Sequence, residues 1–270
     1  MPAADYAALF NKVAFITGGS RGIGEGCARV FCDAGAHVIL GDLDEDRGRS
    51  LATALTERGP GTCYFAPSDV RDFEQLGNTI NHIVQRYSRL DCLINNAGRH
   101  PPRKPVEEFT VEEFRDLLEL NLIAYFVACR LTLPHLRSSS GSIINIGSIV
   151  GKLGYPGSTT YCATKAGVTG FTKALAIEEA KNGVRVNVIL PGNIMTQARI
   201  DEESRMDNPK PFHDYAESLQ WMGRSGTPEE VGHACLFLAS DASRYITGIE
   251  LIVGGGVDLG LGPKLYTSPG

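Results

Sequence analysis

Thr17-Gly18-Gly19-Ser20-Arg21-Gly22-Ile23-Gly24 follows a short apolar run, Val13–Thr17, and leads into a helical pattern that begins at Gly24. Glycines placed where a strand hands over to a helix let backbone N–H groups approach a pyrophosphate, and the positive end of the helix then holds the charge. The spacing is G-x-x-x-G-x-G rather than G-x-G-x-x-G, and a plain tight turn would also use glycine there. Asp42, at the end of the next apolar run and eighteen residues beyond Gly24, turns the reading toward dinucleotide binding. A carboxylate there accepts from adenosine ribose hydroxyls and repels a 2′-phosphate, which favours NAD over NADP. Arg21, a cation within the turn, pulls the other way. Asp42 could instead cap the following helix, a role Asp44 could equally fill.

Outward from this turn, short β-branched runs alternate with longer helical patterns. The strand candidates are Val13–Thr17, Val38–Asp42, Cys63–Ser68, Leu90–Asn95, Ser142–Ser148, Arg185–Leu190 and Ile249–Val253. Several are apolar on both faces, as strands of a covered parallel sheet are. The helix candidates are Gly24–Ala34, Glu45–Glu57, Asp72–Tyr87, Val111–Arg137, Thr159–Lys181 and Pro228–Ala239. Thr227-Pro228-Glu229-Glu230 has the cap, first-position proline and early acids of a helix start. The alternation predicts an α/β fold: a Rossmann-type, doubly wound, parallel seven-stranded sheet with helices on both faces, one domain over residues 1–270. Residues 193–226 break the rhythm with charges, two prolines, Trp221 and no strand, and read as a lid over the carboxyl ends of the strands.

Composition narrows the function. The chain has 270 residues, 43% hydrophobic, with 26 Lys+Arg against 31 Asp+Glu, a net charge of −5. That balance argues against nucleic acid and against a polybasic membrane anchor. The seven cysteines (27, 32, 63, 92, 129, 162 and 235) show no C-x-x-C pair and no zinc-like spacing, so no metal site is expected and they read as buried free thiols. Residues 1–12 lack a signal-peptide pattern, no apolar stretch approaches the roughly 20 residues that span a bilayer, and residues 259–270 read as irregular. A soluble cytoplasmic protein is the expectation.

Tyr161 and Lys165, in Tyr161-Cys162-Ala163-Thr164-Lys165, are one helical turn apart on one face. An ammonium beside a phenol favours the phenolate, making a proton acceptor for an alcohol, although such pairs are common on solvated helices. Ser148, at the end of the IINIGS run, is placed to hydrogen-bond the substrate oxygen beside Tyr161.

Taken together, TGGSRGIG, Asp69-Val70, Asn95-Asn96-Ala97-Gly98, Asn121, Ser148, the Tyr161–Lys165 pentad and Pro191-Gly192 make the chain resemble the short-chain dehydrogenase/reductases from Lys12 to about Gly255. Within that family it looks most similar to the 17β-hydroxysteroid dehydrogenases of type 14, through NNAG-x-HPP, LLELNL, PGNI-x-T, GIEL and the glycine-rich tail. The resemblance implies a catalytic set of Asn121, Ser148, Tyr161 and Lys165. Tyr161 would be base in oxidation and acid in reduction, and Lys165 would lower its pKa and bond the nicotinamide ribose. Ser148 would position the substrate oxygen, and Asn121 would hold a water. Gly18, Ser20, Arg21, Gly22, Ile23 and Gly24 would cradle the cofactor's phosphates. Asp69 and Val70 would meet the adenine, Asn96 the neighbouring ribose region and Thr196 the carboxamide. Ala97, Gly98, Pro191, Gly192 and Ile194 would line the same cofactor.

The expected reaction is NAD-dependent oxidation of a secondary alcohol to a ketone, with a 17β-hydroxysteroid as the leading substrate. The rival substrate is a sugar or polyol such as L-fucose. A non-catalytic dinucleotide-binding regulator is the rival of another class, and the intact Ser148–Tyr161–Lys165 set argues against it. His100, on a loop stiffened by Pro101 and Pro102, joins Tyr155 and Trp221 as candidate substrate contacts, though a lone histidine is ordinarily a surface residue. Arg99 and Tyr155 depart from the steroid-enzyme pattern. The resemblance also implies a homotetramer, with Val111–Arg137 and Thr159–Lys181 packing across a two-fold axis. The stripe Ala166, Val168, Gly170, Ala174 and Ala176 would allow that close approach, unless it packs on the sheet instead.

Overall fold

In the computed structural model, which describes residues 8–259, seven parallel strands form one sheet in the order β3-β2-β1-β4-β5-β6-β7. The strands are β1 (Val13–Thr17), β2 (His37–Asp42), β3 (Thr62–Pro67), β4 (Cys92–Asn95), β5 (Ser142–Ile146), β6 (Arg185–Pro191) and β7 (Glu250–Val253). The chain winds outward from β1 to β3, then returns to place β4 against β1's other side. That reversal opens a crevice at the carboxyl ends of β1 and β4, where ligands of such sheets bind.

Helices cover both faces. On one, Cys27, Phe31 and Cys32 of α1 (Gly22–Asp33) and Val231, Cys235 and Leu238 of α10 (Pro228–Ala239) pack with Ile16, Leu40, Ile94, Ile144 and Ile189. Leu51 and Leu55 of α2 (Glu45–Arg58) join that cluster. On the other, α3 (Phe73–Tyr87), α5 (Ala124–Ser139) and α7 (Thr159–Glu179) bury Ile80, Ile83, Ala128, Leu133 and Leu175 against Phe15, Ile39, Leu93, Ile143 and Val186. The double coverage explains why the strands read as apolar runs rather than alternations. Asp44 caps α2 and Asp72 caps α3, each accepting from the backbone N–H three residues on. Thr227 and Glu230 form the reciprocal capping box that their spacing announces.

Several expectations change, and element ends shift by one to two residues, as at β4, β5 and α7. Val111–Arg137 is not one helix: α4 (Val111–Leu118) passes into a π-turn, Glu119–Ile123, before α5 continues to Ser139. The apolar sequence Leu118–Val127 suits either pitch, so periodicity hides the wider turn. The first helix starts at Gly22 rather than Gly24, because the glycine turn winds directly into it. Residues 193–226, read as a lid with no strand and no helix assigned, form α8 (Gln197–Ser204) and α9 (Lys210–Ser218), their ends tied by paired backbone segments at Ile194 and Gly226. A short helix, α6 (Val150–Leu153), also follows β5.

The cysteines are free; Cys27, Cys32, Cys92, Cys129 and Cys235 are buried, and Cys63 and Cys162 partly exposed. Among the described residues no cluster of three metal-ligating side chains forms. The run Val111–Ser139 carries an 18-residue window of mean hydropathy 1.4, apolar enough by composition to cross a membrane, which the sequence reading did not anticipate. Here Ala128, Leu133 and Leu136 of α5 cover the sheet, whereas Ile123 and Phe126 are exposed. Residues 1–7 and most of the expected irregular tail lie outside the described residues.

Candidate active site

The glycine turn packs against the end of β4 with no room for side chains. A Cβ on Gly18 would lie 2.8 Å from Ala97 Cα, and one on Gly24 would lie 2.1 Å from the Gly18 carbonyl oxygen. Gly18 and Gly22 take φ of +62° and +57°, the left-handed region that favours glycine. Asn96 holds the turn closed: its Nδ2 donates to the carbonyls of Thr17 (3.0 Å) and Gly18 (2.8 Å). The Thr17 hydroxyl accepts from the N–H groups of Asn96 and Ala97. Both amide hydrogens of Asn96 are thus engaged, leaving any ribose contact to its other atoms.

Asp42 is not a helix cap. One oxygen accepts from the Ser20 N–H (2.9 Å) and the other from Leu43 N–H (2.7 Å), which fixes the carboxylate at the rim of the turn. Arg47 braces the same turn, giving Nε to the Ser20 carbonyl (2.9 Å) and a terminal nitrogen to Glu25 (3.0 Å). Arg21 is exposed and caps α1 without a side-chain bond, so the first N–H groups of that helix have no capping side chain. The buried hydroxyls of Ser20 and Ser68 also lack partners. Uncapped helix donors, close-packed glycines and unpartnered hydroxyls are what a dinucleotide phosphate would complete, so these residues fit one. Ile23 packs on the core beneath, partly buried. Past β3, Asp69 Oδ1 accepts from Arg71 N–H (2.9 Å), with Val70 buried beside it.

Beyond β5 the chemistry-bearing side chains converge. Ser148 hydrogen-bonds Tyr161, and α7 carries Lys165 one turn on. Lys165 is 4% exposed. Its Nζ donates to the Ile146 carbonyl (2.8 Å) and stands 5.9 Å from the centre of the Tyr161 ring. Burial pushes Tyr161 up to about 12, against the pull of the Ser148 bond, and pushes Lys165 down to about 7. In this state the phenol is held protonated and the lysine exchanges its proton near neutrality; a positive charge bound alongside would draw the phenol back down.

The lysine shift carries a prediction for stability. Above about pH 7 the folded chain releases the Lys165 proton while the unfolded chain keeps it to near 10.5. The unfolded state then binds more protons, so this group's destabilising effect is full below pH 7 and fades as pH rises through that window. Lys165→Met removes it. The melting-temperature gain of the variant over the native protein should be largest at about pH 6 and shrink by about pH 9. A gain that does not change with pH would refute the shifted lysine.

Asn121, in the π-turn, is wholly buried. Its Oδ1 accepts from Arg99 N–H (3.0 Å), and its Nδ2 donates to the Arg99 carbonyl (3.0 Å) and the Thr164 hydroxyl (3.3 Å). It therefore clamps the loop after β4, and its donors are not free for a water. A Cβ on Gly98 would approach Asn121 Oδ1 to 3.0 Å, so the loop crosses at glycine. That crossing brings His100 over Tyr161, ring centres 4.3 Å apart, with Nε2 3.2 Å from the Ser158 hydroxyl.

Tyr155 reaches the rim: Arg103 lies over its ring at 4.8 Å, and its hydroxyl bonds Tyr215 of α9. Burial raises the Tyr155 phenol, and the Tyr215 bond adds to the rise. Trp221 does not join this cluster. It packs on Gly256 and its indole donates to the Leu259 carbonyl. Behind the site, Pro191 ends β6, and Gly192 crosses Gly254 so closely that a Cβ would lie 2.8 Å from its Cα. Ile194 is buried, and Thr196 faces Gly22, 3.4 Å from where its Cβ would be. Sequence reading missed Arg103, Ser158, Tyr215 and Arg199. Arg199 ties the lid together through Glu203 (2.8 Å) and Ser225 (2.8 Å).

A family model described as enoyl-(acyl carrier protein) reductase matches residues 18–258. An L-fucose dehydrogenase of Oryctolagus cuniculus is 46% identical over 95% of this chain and 88% of its own length. The FabG 3-oxoacyl-[acyl-carrier-protein] reductase of Chlamydia muridarum is 38% identical over 92% of this chain and 98% of its own. The crystal structure of Cj0485 dehydrogenase superposes with a TM-score of 0.87 at 28% identity, covering 94% of this chain and 96% of that one. These relatives carry sugar and acyl-carrier names, so the hydroxysteroid likeness read from NNAG-x-HPP and its companions finds no support among them, whereas the sugar alternative does. Glycine turn, seven-stranded sheet and Ser–Tyr–Lys cluster agree with those matches: the chain is an oxidoreductase belonging to the short-chain dehydrogenase/reductase family.

Proposed function

We propose that the protein is an NAD-dependent dehydrogenase oxidising a secondary alcohol of a sugar or polyol, with L-fucose as the first candidate. The observation that carries this reading is the polar rim: His100 tilted against Tyr161 and bonded to Ser158, with Tyr155 and Arg103 beside them. The apolar wall a steroid would need is weakened by Trp221 turning to the carboxyl-terminal segment. The L-fucose dehydrogenase relatives support the same choice.

Gly18–Gly24 would hold the pyrophosphate, Asp42 the adenosine ribose, and Thr196 the far end. A nicotinamide held there would supply the acceptor for the hydride of the carbinol carbon. Ser148 holds the substrate oxygen, Tyr161 takes its proton, and Lys165 favours the phenolate. Asn121 fixes the loop that carries His100.

A screen of the purified protein with NAD and NADP against sugars and steroids tests the reading by absorbance of the reduced nicotinamide. Sugar turnover with NAD is the expected result; steroid turnover alone would overturn it. A site built to hydrogen-bond hydroxyls loses heavily when a partner is removed. His100→Ala should therefore lower kcat/KM for the accepted sugar by about 10-fold or more, and Trp221→Ala by less. The reverse order would favour an apolar substrate.

The assembly we propose is a tetramer through α7. Its expected stripe divides: Val168 and Ala176 are buried, whereas Ala166, Gly170 and Ala174 are exposed, in line with Ala163 and with Ile177 at 80% exposure. A smooth apolar face of this kind calls for a cover. Light scattering should give four times the 29.1 kDa chain mass, and Gly170→Trp should lower it. A native monomer would end the proposal.

A further inference from the structure

Three stretches far apart in sequence meet in one string of charges. Asp116, on α4, accepts from Arg99 at Oδ2 and from Arg71 Nη1 at Oδ1 (3.3 Å). Arg71 in turn approaches Asp69 Oδ1 with Nε at 3.5 Å. One carboxylate thus uses both oxygens, each on a guanidinium from a different loop. The neighbouring ion pairs on α4 do not do this: Glu112 pairs with Arg115 of the same helix, and Glu113 with Lys104.

The two ends of the string lie at the two ends of the cofactor groove. At one end, Asn121 grips the Arg99 backbone through both N–H and carbonyl. One residue later His100 lies on the Tyr161 ring at 4.3 Å. At the other end, β3 runs beside β2 with Pro67 opposite Asp42, so Asp69 lies outward of Asp42, away from the glycine turn. A dinucleotide with its pyrophosphate on α1 and its ribose at Asp42 must carry its base to that outer side. Asp69 Oδ2 has no hydrogen-bond partner among the described residues.

We infer that Asp116 is a positioning residue coupling the base end of the cofactor groove to the substrate rim, an inference that rests on the dinucleotide reading above. A base engaging the Asp69–Arg71 turn fixes Arg71; Arg71 fixes Asp116; Asp116 holds the Arg99 guanidinium while Asn121 holds its backbone. The loop at 99–105 is then set with His100 in place for substrate. Single exposed ion pairs contribute little, and Asp116 is 44% exposed. Its importance lies in the consequence of its loss: two guanidinium groups stand together with no carboxylate between them, and the loops they belong to separate. Coupling of this kind is reciprocal, so a bound alcohol must tighten the reduced cofactor by the same factor that the cofactor tightens the alcohol.

Titrating NADH by its fluorescence, with and without an alcohol the enzyme turns over, reads that factor directly. The native protein should show a tightening of about five-fold or more. Asp116→Ala should bring it toward one, with NADH binding alone nearly unchanged, and Asp116→Glu should recover part of it. Amide hydrogen exchange gives a second reading: NADH alone should protect residues 99–105 in the native chain and not in Asp116→Ala. Variants that keep the native factor and the native protection overturn the inference. So does an alanine variant that weakens NADH equally with and without alcohol, since Asp116 would then be merely structural. If no sugar is turned over, the functional reading fails, while protection of the loop by NADH alone still decides this one.

Discussion

Tyr161→Phe should lower turnover by about 10²–10⁴-fold, the usual range for loss of a positioned proton acceptor, while NADH binding stays close to native. The substitution keeps the ring, so the contact with His100 and the packing of α7 survive. It removes only the hydroxyl that Ser148 bonds. Among the described residues no other acidic hydroxyl is placed to substitute: the Tyr125 hydroxyl is 3.5 Å from Lys165 Nζ but is fully buried, bonded to the Ile146 carbonyl, and raised well above its ordinary value by that burial. Single-turnover rates together with an NADH titration separate chemistry from binding. Near-native turnover would remove Tyr161 from its role.

Asp42→Ala should have the next largest effect, on cofactor choice. The native protein should prefer NAD, because a fixed carboxylate would face the extra phosphate of NADP. The side chain is held by Ser20 and Leu43 N–H groups, so it cannot swing aside cheaply. Hydrogen bonds to a charged group contribute about 1.5–3 kcal/mol, so the preference for NAD should fall by roughly 10- to 150-fold in kcat/KM. Two outcomes count against the argument: a native protein that uses both cofactors equally, and a variant whose preference does not move. Either would give Arg21, exposed on the same turn, the deciding role.

What sequence could show followed from what is local. The apolar runs starting at Val13, Val38 and Arg185 became strands because both faces of the sheet are covered, and Thr227-Pro228-Glu229-Glu230 became a capped helix because its signals are contiguous. Tyr161 and Lys165 share a helix, so spacing alone sets them side by side. The lid helices were missed because their sequences are polar and broken by proline, although Pro211 near the start of α9 is itself a helix-start signal. The grip of Asn121 on Arg99, the Tyr155–Tyr215 bond and the Asp116 string join distant segments, and no spacing within any one segment announces them. Trp221 drew notice as the lone tryptophan, but its contacts are set by the chain's last described turn.

The π-turn at Glu119–Ile123 makes length, more than composition, the heritable constraint on this part of the chain. An α-helix turns about 100° per residue, so one residue gained or lost between Val111 and Ser139 would rotate one half of the run against the other by about that angle. Excising a residue from the wide turn would yield a more regular helix and a worse enzyme: with α5 anchored on the sheet, Asp116 would swing off Arg71 and Arg99, and Asn121 off the loop it grips. Side-chain changes along this run can be absorbed one by one, whereas a single-codon insertion or deletion misaligns everything upstream at once. Among descendants of this gene, the run should drift in sequence while keeping its count of residues.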